Sequence, residues 1–552
     1  MRNLLHKFRY PIIAIAVVAF TAFGAWKIYP VYVVTALDRI INPIADTQTI
    51  KWAQGPTTAG SDRPPNVILI VADDLGINDL TITGEGVANG LVPTPNIDSL
   101  GLQGAMFDTG YAANATCSPS RAALMTGRYP PRFGFEFTAV PKAFAYNLSR
   151  PEPGRTLQPI YHAEREKLMP PLADMGVPAS EVTIAELLKG RGYHNVHIGK
   201  WHIGESAKLR PEAQGFDESL GIMSGAGKYL PDDDPDVVNA RLDYDPIDRF
   251  LWIYGNDAVQ WNGGQRFHVS EYMTDYFSNH AVRAIDANRN RPFFMYLAYN
   301  APHTPLQAKK SDYDALSAIK DHKTRVYGAM IRALDRGVGK VLASLKRNGI
   351  DDKTIIIFTS DNGGAWYAGL PNINSPYRGW KATFFEGGIR VPFLIRWPAS
   401  ITAGQKFQMP AHHLDVYATI ASAAGASLPA DRKMDSANLL PILTGKMAQT
   451  NDRMLFWRSG DYRVVRKGDW KLQVSARPKK MWLYDLANDP TEKRNLADVQ
   501  TTKVDELRAL LAAHGREMPA PLWPALIEDP IRVDVPLNAP WKDGQEYVYW
   551  SN

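Results

Sequence analysis

The chain has 552 residues, too many for one small domain and enough for one large core and a smaller one. Much of its net charge of +5 sits at the N-terminus, in Arg2, Lys7, Arg9, Lys27, Arg39 and Lys51; the near-neutral body that remains is not that of a nucleic-acid binder. With a single cysteine, Cys117, an intrachain disulfide is excluded.

Arg2, Lys7 and Arg9 precede an uncharged run over residues 11–26. That order reads as an export segment, with the N-terminus kept in the cytoplasm and the body sent across the membrane. Ala22, Gly24 and Ala25 suit a signal-peptide cleavage site, whereas IYPVYVVTAL after Lys27 would lengthen the run into an anchor. Residues 1–45 are therefore assigned to a signal or anchor with its juxtamembrane stretch. Residues 46–65, polar and rich in Gly, Pro and Thr, are assigned to a linker.

The next segment is NVILIVADDLG, whose five aliphatic residues 67–71 predict a strand buried on both faces. In NATCSPSRAALMTGRYP, Ser118 is expected to cap a helix with Pro119 at its first position, ending at Gly127. Cys117 then stands just before a helix N-terminus, where a thiolate would be activated and where Arg121 reaches back. Thr183 and Glu186 have capping-box spacing ahead of the strand YHNVHIGKWHIG. Helix-like YFSNHAVRAIDAN precedes PFFMYLAYNAPHTP, and an amphipathic helix over residues 326–345 precedes TIIIFTSDNGG. VPFLIRWP supplies one more strand.

Helix followed by strand, repeated, predicts an α/β fold: a large mixed, mostly parallel sheet with helices on both faces. Residues 66–443 are assigned to this body and 444–552 to a smaller C-terminal subdomain. There MLFWRSGDYRVVRKGDWKLQV reads as antiparallel hairpins and KVDELRALLAAHG as a helix, with irregular chain from Pro519. The segment 205–267, with its acidic run PDDDPD and with Trp252 and Trp261, reads as a solvated excursion over packed aromatics, with a sugar subsite as the alternative.

Open α/β sheets bind ligands at the carboxyl ends of their strands. Asp73 and Asp74, Lys200 and His202, His303, and Asp361 and Asn362 each come directly after an apolar run, so all are expected on one edge. Asp73, Asp74, Asp361 and Asn362 offer hard oxygen ligands, which suit Ca²⁺ or Mg²⁺ rather than zinc.

Taken together these residues resemble the type I sulfatases of the alkaline phosphatase superfamily. CSPSR (117–121) matches that family's C-x-P-x-R signature, and LMTGRYP continues it. ADDLG, TPNIDSL, GKWHIG, APHTP, SDNGG and GWKATFFEGGIRVP match in the family's order over roughly residues 66–443. DYRVVRKGDWKL and WLYDLANDPTEKRNLA match the family's C-terminal part. The resemblance implies that a separate formylglycine-generating enzyme oxidises Cys117 to Cα-formylglycine. One hydroxyl of the hydrated aldehyde attacks sulfur and the alcohol leaves. The second hydroxyl then loses its proton, sulfate departs by C–O cleavage and the aldehyde returns.

By the same resemblance Asp73, Asp74, Asp361, Asn362 and residue 117 hold Ca²⁺, with Mg²⁺ as runner-up. Asp361 takes the attacking hydroxyl's proton and Arg121 holds the diol. Lys200, Lys381 and His303 bind the sulfate; His303, with Lys381, protonates the leaving oxygen, and His202 assists collapse. The implied substrate is a small-molecule or saccharide sulfate ester: aryl sulfates as laboratory substrates, a sulfated saccharide in nature. The nearest branch is that of arylsulfatases and N-acetylgalactosamine sulfatases. An extracytoplasmic location is implied, periplasmic, secreted or held at the membrane by residues 11–26. The alternatives are a phosphonate or phosphate ester hydrolase on the same core, and a sulfoglycan-binding pseudoenzyme.

Overall fold

The structure is a computed structural model that describes residues 40–61, 63–151 and 155–552. The export segment read at residues 11–26 lies outside the described residues. Among the described residues, no helix is long and apolar enough to cross a membrane.

The main sheet is built from β1 (Asn66–Ala72), β2 (Ala105–Tyr111), β3 (His194–Lys200), β4 (Glu218–Ile222), β5 (Ala258–Trp261), β6 (Phe267–His268), β7 (Phe293–Ala298), β8 (Thr354–Ser360), β9 (Phe393–Arg396) and β10 (Gln405–His412). Their order is β10-β2-β9-β8-β1-β7-β3-β4-β5-β6. The five central strands β8, β1, β7, β3 and β4 are all parallel, as the repeated helix–strand pattern predicts. The antiparallel pairs lie outside them.

Packing explains why β1 reads as a continuous apolar run. Ile68 and Ile70 face one core, shared with Phe277 and Ala281 of α4 (Met273–Asn288) and Met330 and Leu334 of α5 (His322–Arg347). Val67, Leu69 and Val71 face a second core with Leu124 and Met125 of α1 (Cys117–Thr126) and Ile420 of α6 (His413–Ala423). A strand covered on both faces has no polar side to show. The stripe Met330, Leu334, Val338, Val341 and Leu345 on α5 is fully buried. The capping box at Thr183 is present: Glu186 N–H donates to the Thr183 hydroxyl, starting α2 (Ile184–Lys189).

The described residues of 46–65 contain no helix or strand, yet Trp52 is buried and its indole N–H donates to His280 Nδ1 at 3.2 Å. In the 205–267 segment, Trp252 lies under Arg241 and Trp261 meets Trp52 edge-on at 4.7 Å. Asp232 of the acidic run pairs with Lys228 at 2.7 Å. The same segment also forms helix α3 (Pro246–Tyr254), whose N-cap Asp245 accepts from Ile247 N–H and Asp248 N–H.

The C-terminal hairpins form a four-stranded antiparallel sheet, β11 (Met454–Ser459) to β14 (Lys480–Asp485) in chain order. Helix α7 (Thr501–Arg516) packs Val504, Leu507 and Leu511 on its Val465, Leu472 and Leu483. The tail departs from the expectation of irregular chain. β15 (Ile527–Arg532) and β16 (Tyr547–Ser551) pair antiparallel, because YVYWS is a strand-favouring run that the proline-rich flanks obscure.

A candidate active site at the carboxyl edge of the sheet

Strand register brings the chemistry together. Ala72 pairs with Ser360, and Ala298 pairs with both Val71 and Gly199. The residues just beyond those ends therefore meet on one edge. Asp73 accepts from Lys200 Nζ at 2.7 Å. Arg121 donates through Nε to Asp361 Oδ2 at 2.9 Å and through Nη1 to the Lys200 carbonyl at 3.1 Å. Asp361 Oδ1 accepts from Asp74 N–H at 3.2 Å. Asp74 collects Asn362 Nδ2 at 2.7 Å, Tyr367 Oη at 2.8 Å and Lys381 Nζ at 2.8 Å. His303 Nε2 lies 3.3 Å from Lys381 Nζ and 3.6 Å from Asp74. Asp73, Lys200, Arg121, Asp361 and Asn362 have no solvent exposure.

Cys117 Sγ stands 3.5 Å from Asp73 Oδ1 and 3.9 Å from Asp74 Oδ1. Two expectations about it are corrected. The helix starts earlier than expected: Thr116, in extended conformation, is the N-cap, and Cys117 is the first helical residue. Ser118 does not cap, because its hydroxyl accepts from Ala139 N–H instead. The thiol is also not activated. Burial, then the charge of Asp361, pushes it far above its usual range. Burial and Asp361 together outweigh the opposing pull of Lys200 and Lys381. Gly127 closes the helix in the left-handed region, as expected.

The same two forces sort the remaining groups. Burial pushes Asp73 up to about 7, against the pull of Lys200 and with Asp361 adding repulsion. Burial also opposes ionisation of Asp361, but Arg121, Lys200 and Lys381 overcome it and hold the carboxyl well below the usual range. Asp74 is likewise buried, and Lys381 and His303 hold it low. Lys381 stays charged in spite of burial because Asp74 faces it. Burial drives His303 down to about 3. His202, buried and near Lys200, also lies far below its ordinary value. The site is thus a set of lysines and an arginine interleaved with carboxyl groups, beside two neutral imidazoles.

The sulfatase family model matches residues 65–426, which is more than half of the chain. The chain belongs to the sulfatase family. It is accordingly a sulfate ester hydrolase, with the mixed sheet and small antiparallel sheet of that fold. A second model, N-sulphoglucosamine sulphohydrolase, C-terminal, matches residues 378–516. N-acetylgalactosamine-6-sulfatase of Mus musculus is 34% identical over 430 residues, 76% of this chain and 74% of the relative. Steryl-sulfatase of Mus musculus is 30% identical, over 86% of this chain and 85% of the relative. The crystal structure of Ps i-CgsB in complex with k-i-k-neocarrahexaose superposes with a TM-score of 0.69 at 32% identity, covering 84% of this chain and 95% of that one.

The donor set of this sulfatase fits a metal. Ligand atoms of Asp73, Asp74, Cys117 and His303 lie within 4.8 Å of one another, all buried. Asn362 Oδ1 is buried without a hydrogen-bond partner, while its amide N–H₂ is used by Asp74 and the Gly363 carbonyl. An orphaned amide oxygen beside two carboxylates is what a hard cation would satisfy.

Two groups were not read from sequence. Tyr367, six residues past Asp361, donates to Asp74, and Tyr296 in β7 accepts from Arg121 at 3.3 Å. Tyr296 carried no signal, because alternation inside a buried strand does not say which side chain meets a charge. Lys381, readable as an ordinary solvated lysine, is nearly buried. His202 lines the same cavity as Cys117 and donates from Nε2 to the Ala139 carbonyl at 2.9 Å.

Proposed function

We propose that this sulfatase cleaves sulfate monoesters at a formylglycine made from Cys117. The observation that carries the reading is the state of Cys117. It is buried against Asp73 and Asp74, and burial pushes its thiol up, which works against a thiolate. Those surroundings suit an oxidised residue that needs no thiolate, set among groups that neutralise an anion. The hydrated aldehyde supplies one hydroxyl to attack sulfur and a second to release sulfate.

Asp73, Asp74, Asp361 and Asn362 would hold a divalent cation, Ca²⁺ ahead of Mg²⁺ because many oxygen donors converge, and that cation would draw charge from a sulfate oxygen. Lys200 and Lys381 neutralise sulfate oxygens as fixed, preorganised donors. Arg121 fixes Asp361 through two nitrogens, and ionised Asp361 accepts the proton of the attacking hydroxyl. His303 donates from Nδ1 to the Thr304 carbonyl at 2.5 Å, so its Nε2 is the bare nitrogen facing Lys381. The proton for the departing ester oxygen therefore comes from the Lys381–His303 pair, with Lys381 carrying it. His202 leaves Nδ1 bare and buried, placed to accept a hydrogen bond from the hydrated aldehyde and so assist its collapse.

The body is read as residues 66–443 with the C-terminal part after it, delivered outside the cytoplasm by residues 11–26. The alcohol half of the substrate is a saccharide or an apolar ring; the relatives include enzymes named for each. The deciding experiment is a mass spectrum of the peptide that contains residue 117 from active protein. An aldehyde in place of the thiol, resistant to alkylation, is expected. A fully alkylatable Cys117 in active protein overturns the mechanism.

A further inference from the structure

We infer that the subsite next to the ester oxygen is built for one apolar ring, aromatic or carbocyclic, in preference to a sugar; this rests on the sulfatase reading above. The cavity that opens on Cys117, His303 and Lys381 has a volume of about 120 Å³. A cavity of about 150 Å³ lined by aliphatic and aromatic side chains accepts benzene, so this one is limited to a single ring at most.

Most of its wall is carbon, from Val140, Phe144, Ile247, Phe250, Leu251 and Trp550, with Thr138, His202, Ser224, Tyr254 and Tyr367 also lining it. They are held firmly. Phe250 meets Phe144 edge-on at 5.4 Å and stacks on Tyr254 at 5.2 Å. Helix α3, which carries Ile247, Phe250 and Leu251, is fixed by the buried Asp245 cap. A pyranose in this position would press its hydroxyls against carbon, and a buried hydroxyl without a partner is costly. Charge points the same way. Lys381 is the one ammonium on the walls, no arginine lines them among the described residues, and Glu205 stands among them. A second sulfate on a neighbouring sugar would find no cation there. Amide side chains appear only farther out, where Asn256, Gln260 and Gln265 line an adjoining groove of about 620 Å³. A polar substituent remote from the ester has amide partners; a polar ring at the ester meets mostly carbon.

The test compares cyclohexylmethyl sulfate with galactose 6-sulfate, using purified full-length enzyme. Both release a primary alkoxide, and the sugar is the better leaving group by induction, so chemistry alone favours the sugar. A kcat/KM at least 100-fold higher for cyclohexylmethyl sulfate is expected, since an apolar pocket rejects even one added hydroxyl by about that factor. Leu251→Asn should narrow the ratio at least tenfold, chiefly through KM of the cyclohexyl substrate, while Leu251→Met preserves it. The ratio is internal to each preparation, so partial misfolding of a variant does not change it. Equal or better turnover of galactose 6-sulfate, or a ratio unmoved by Leu251→Asn, overturns the inference while leaving the sulfatase reading intact. Failure to cleave either ester, or nitrophenyl sulfate, by protein carrying the aldehyde overturns the sulfatase reading and this inference with it.

Discussion

Lys381 and His303 offer a test of who delivers the leaving-group proton. At pH 7 an imidazole held near 3 is about four units from protonation, which costs about 5 kcal/mol to reverse. Lys381 needs no such step, because Asp74 keeps it charged at 2.8 Å. A nitrophenolate leaves without a proton; a simple alkoxide requires one. Replacing Lys381 by Gln keeps a polar side chain of similar reach and removes the transferable charge. Some loss is common to both esters, since sulfate binding and the Asp74 pairing suffer alike. The extra loss on an alkyl sulfate should be about 10²–10³ in kcat/KM, within the span of general acid catalysis. His303→Ala, which removes the nitrogen that orients Lys381, should open a smaller gap of about tenfold. Lys200→Ala removes charge stabilisation common to both and should cost each about 2–4 kcal/mol with no gap. The assay is kcat/KM for nitrophenyl sulfate and cyclohexylmethyl sulfate in the four proteins. Equal losses on both esters in Lys381→Gln would refute the assignment of the proton to this pair.

Removing bound cation by chelation and gel filtration should abolish turnover and lower the melting temperature, with Ca²⁺ restoring both; Asn362→Leu should reduce the bound Ca²⁺ measured by elemental analysis, and an unchanged metal content would remove Asn362 from the ligand set. Lys471→Met leaves Glu386 and Glu492 buried without their shared ammonium, 2.8 and 2.9 Å away, and should destabilise by about 3–5 kcal/mol in denaturant unfolding; a loss under about 1 kcal/mol would show that the pair does not need its cation. Asp79 is pushed up to about 7 by burial, against hydrogen bonds from Tyr327 and Gly76. A carboxyl raised in the folded state contributes stability below its unfolded value of 3.8 and loses it as pH climbs through 7, so wild type should lose ground to Asp79→Asn between pH 4 and 8 in thermal melts. A flat difference across that range would refute the buried-carboxyl account.

Much of this molecule was legible in its residues, for identifiable reasons. Double-sided burial makes β1, β7 and β8 continuous apolar runs, and a parallel sheet places the polar residues after each run on one edge. That is why Asp73, Asp361 and His303 could be gathered without coordinates. The features that escaped depend on long-range packing. Ser118 looked like a cap until Ala139 claimed its hydroxyl. Cys117 looked activated by its helix until its burial beside Asp361 was known. The tail hid two strands because its prolines and tryptophans mask a short alternation. The apolar wall came from α3, a short amphipathic helix inside a segment whose surrounding charges suggested solvent.

Glu386 belongs to the body of the sheet protein, whereas Lys471 and Glu492 come from the C-terminal part, and none of the three is exposed. Tyr111 of β2 donates to Glu386 as well, at 2.8 Å, and Arg466 of the terminal sheet reaches the same tyrosine. Glu386 also keeps Arg390 of its own half at 3.1 Å, and Lys471 keeps Glu492 of its own, so the buried network is shared across the boundary rather than split by it. Separating the halves would strip Glu386 of Lys471 and leave the buried charges on both sides with fewer partners, which couples the two regions in folding. For the engineer, swapping terminal sheets between relatives means exchanging these side chains as a set.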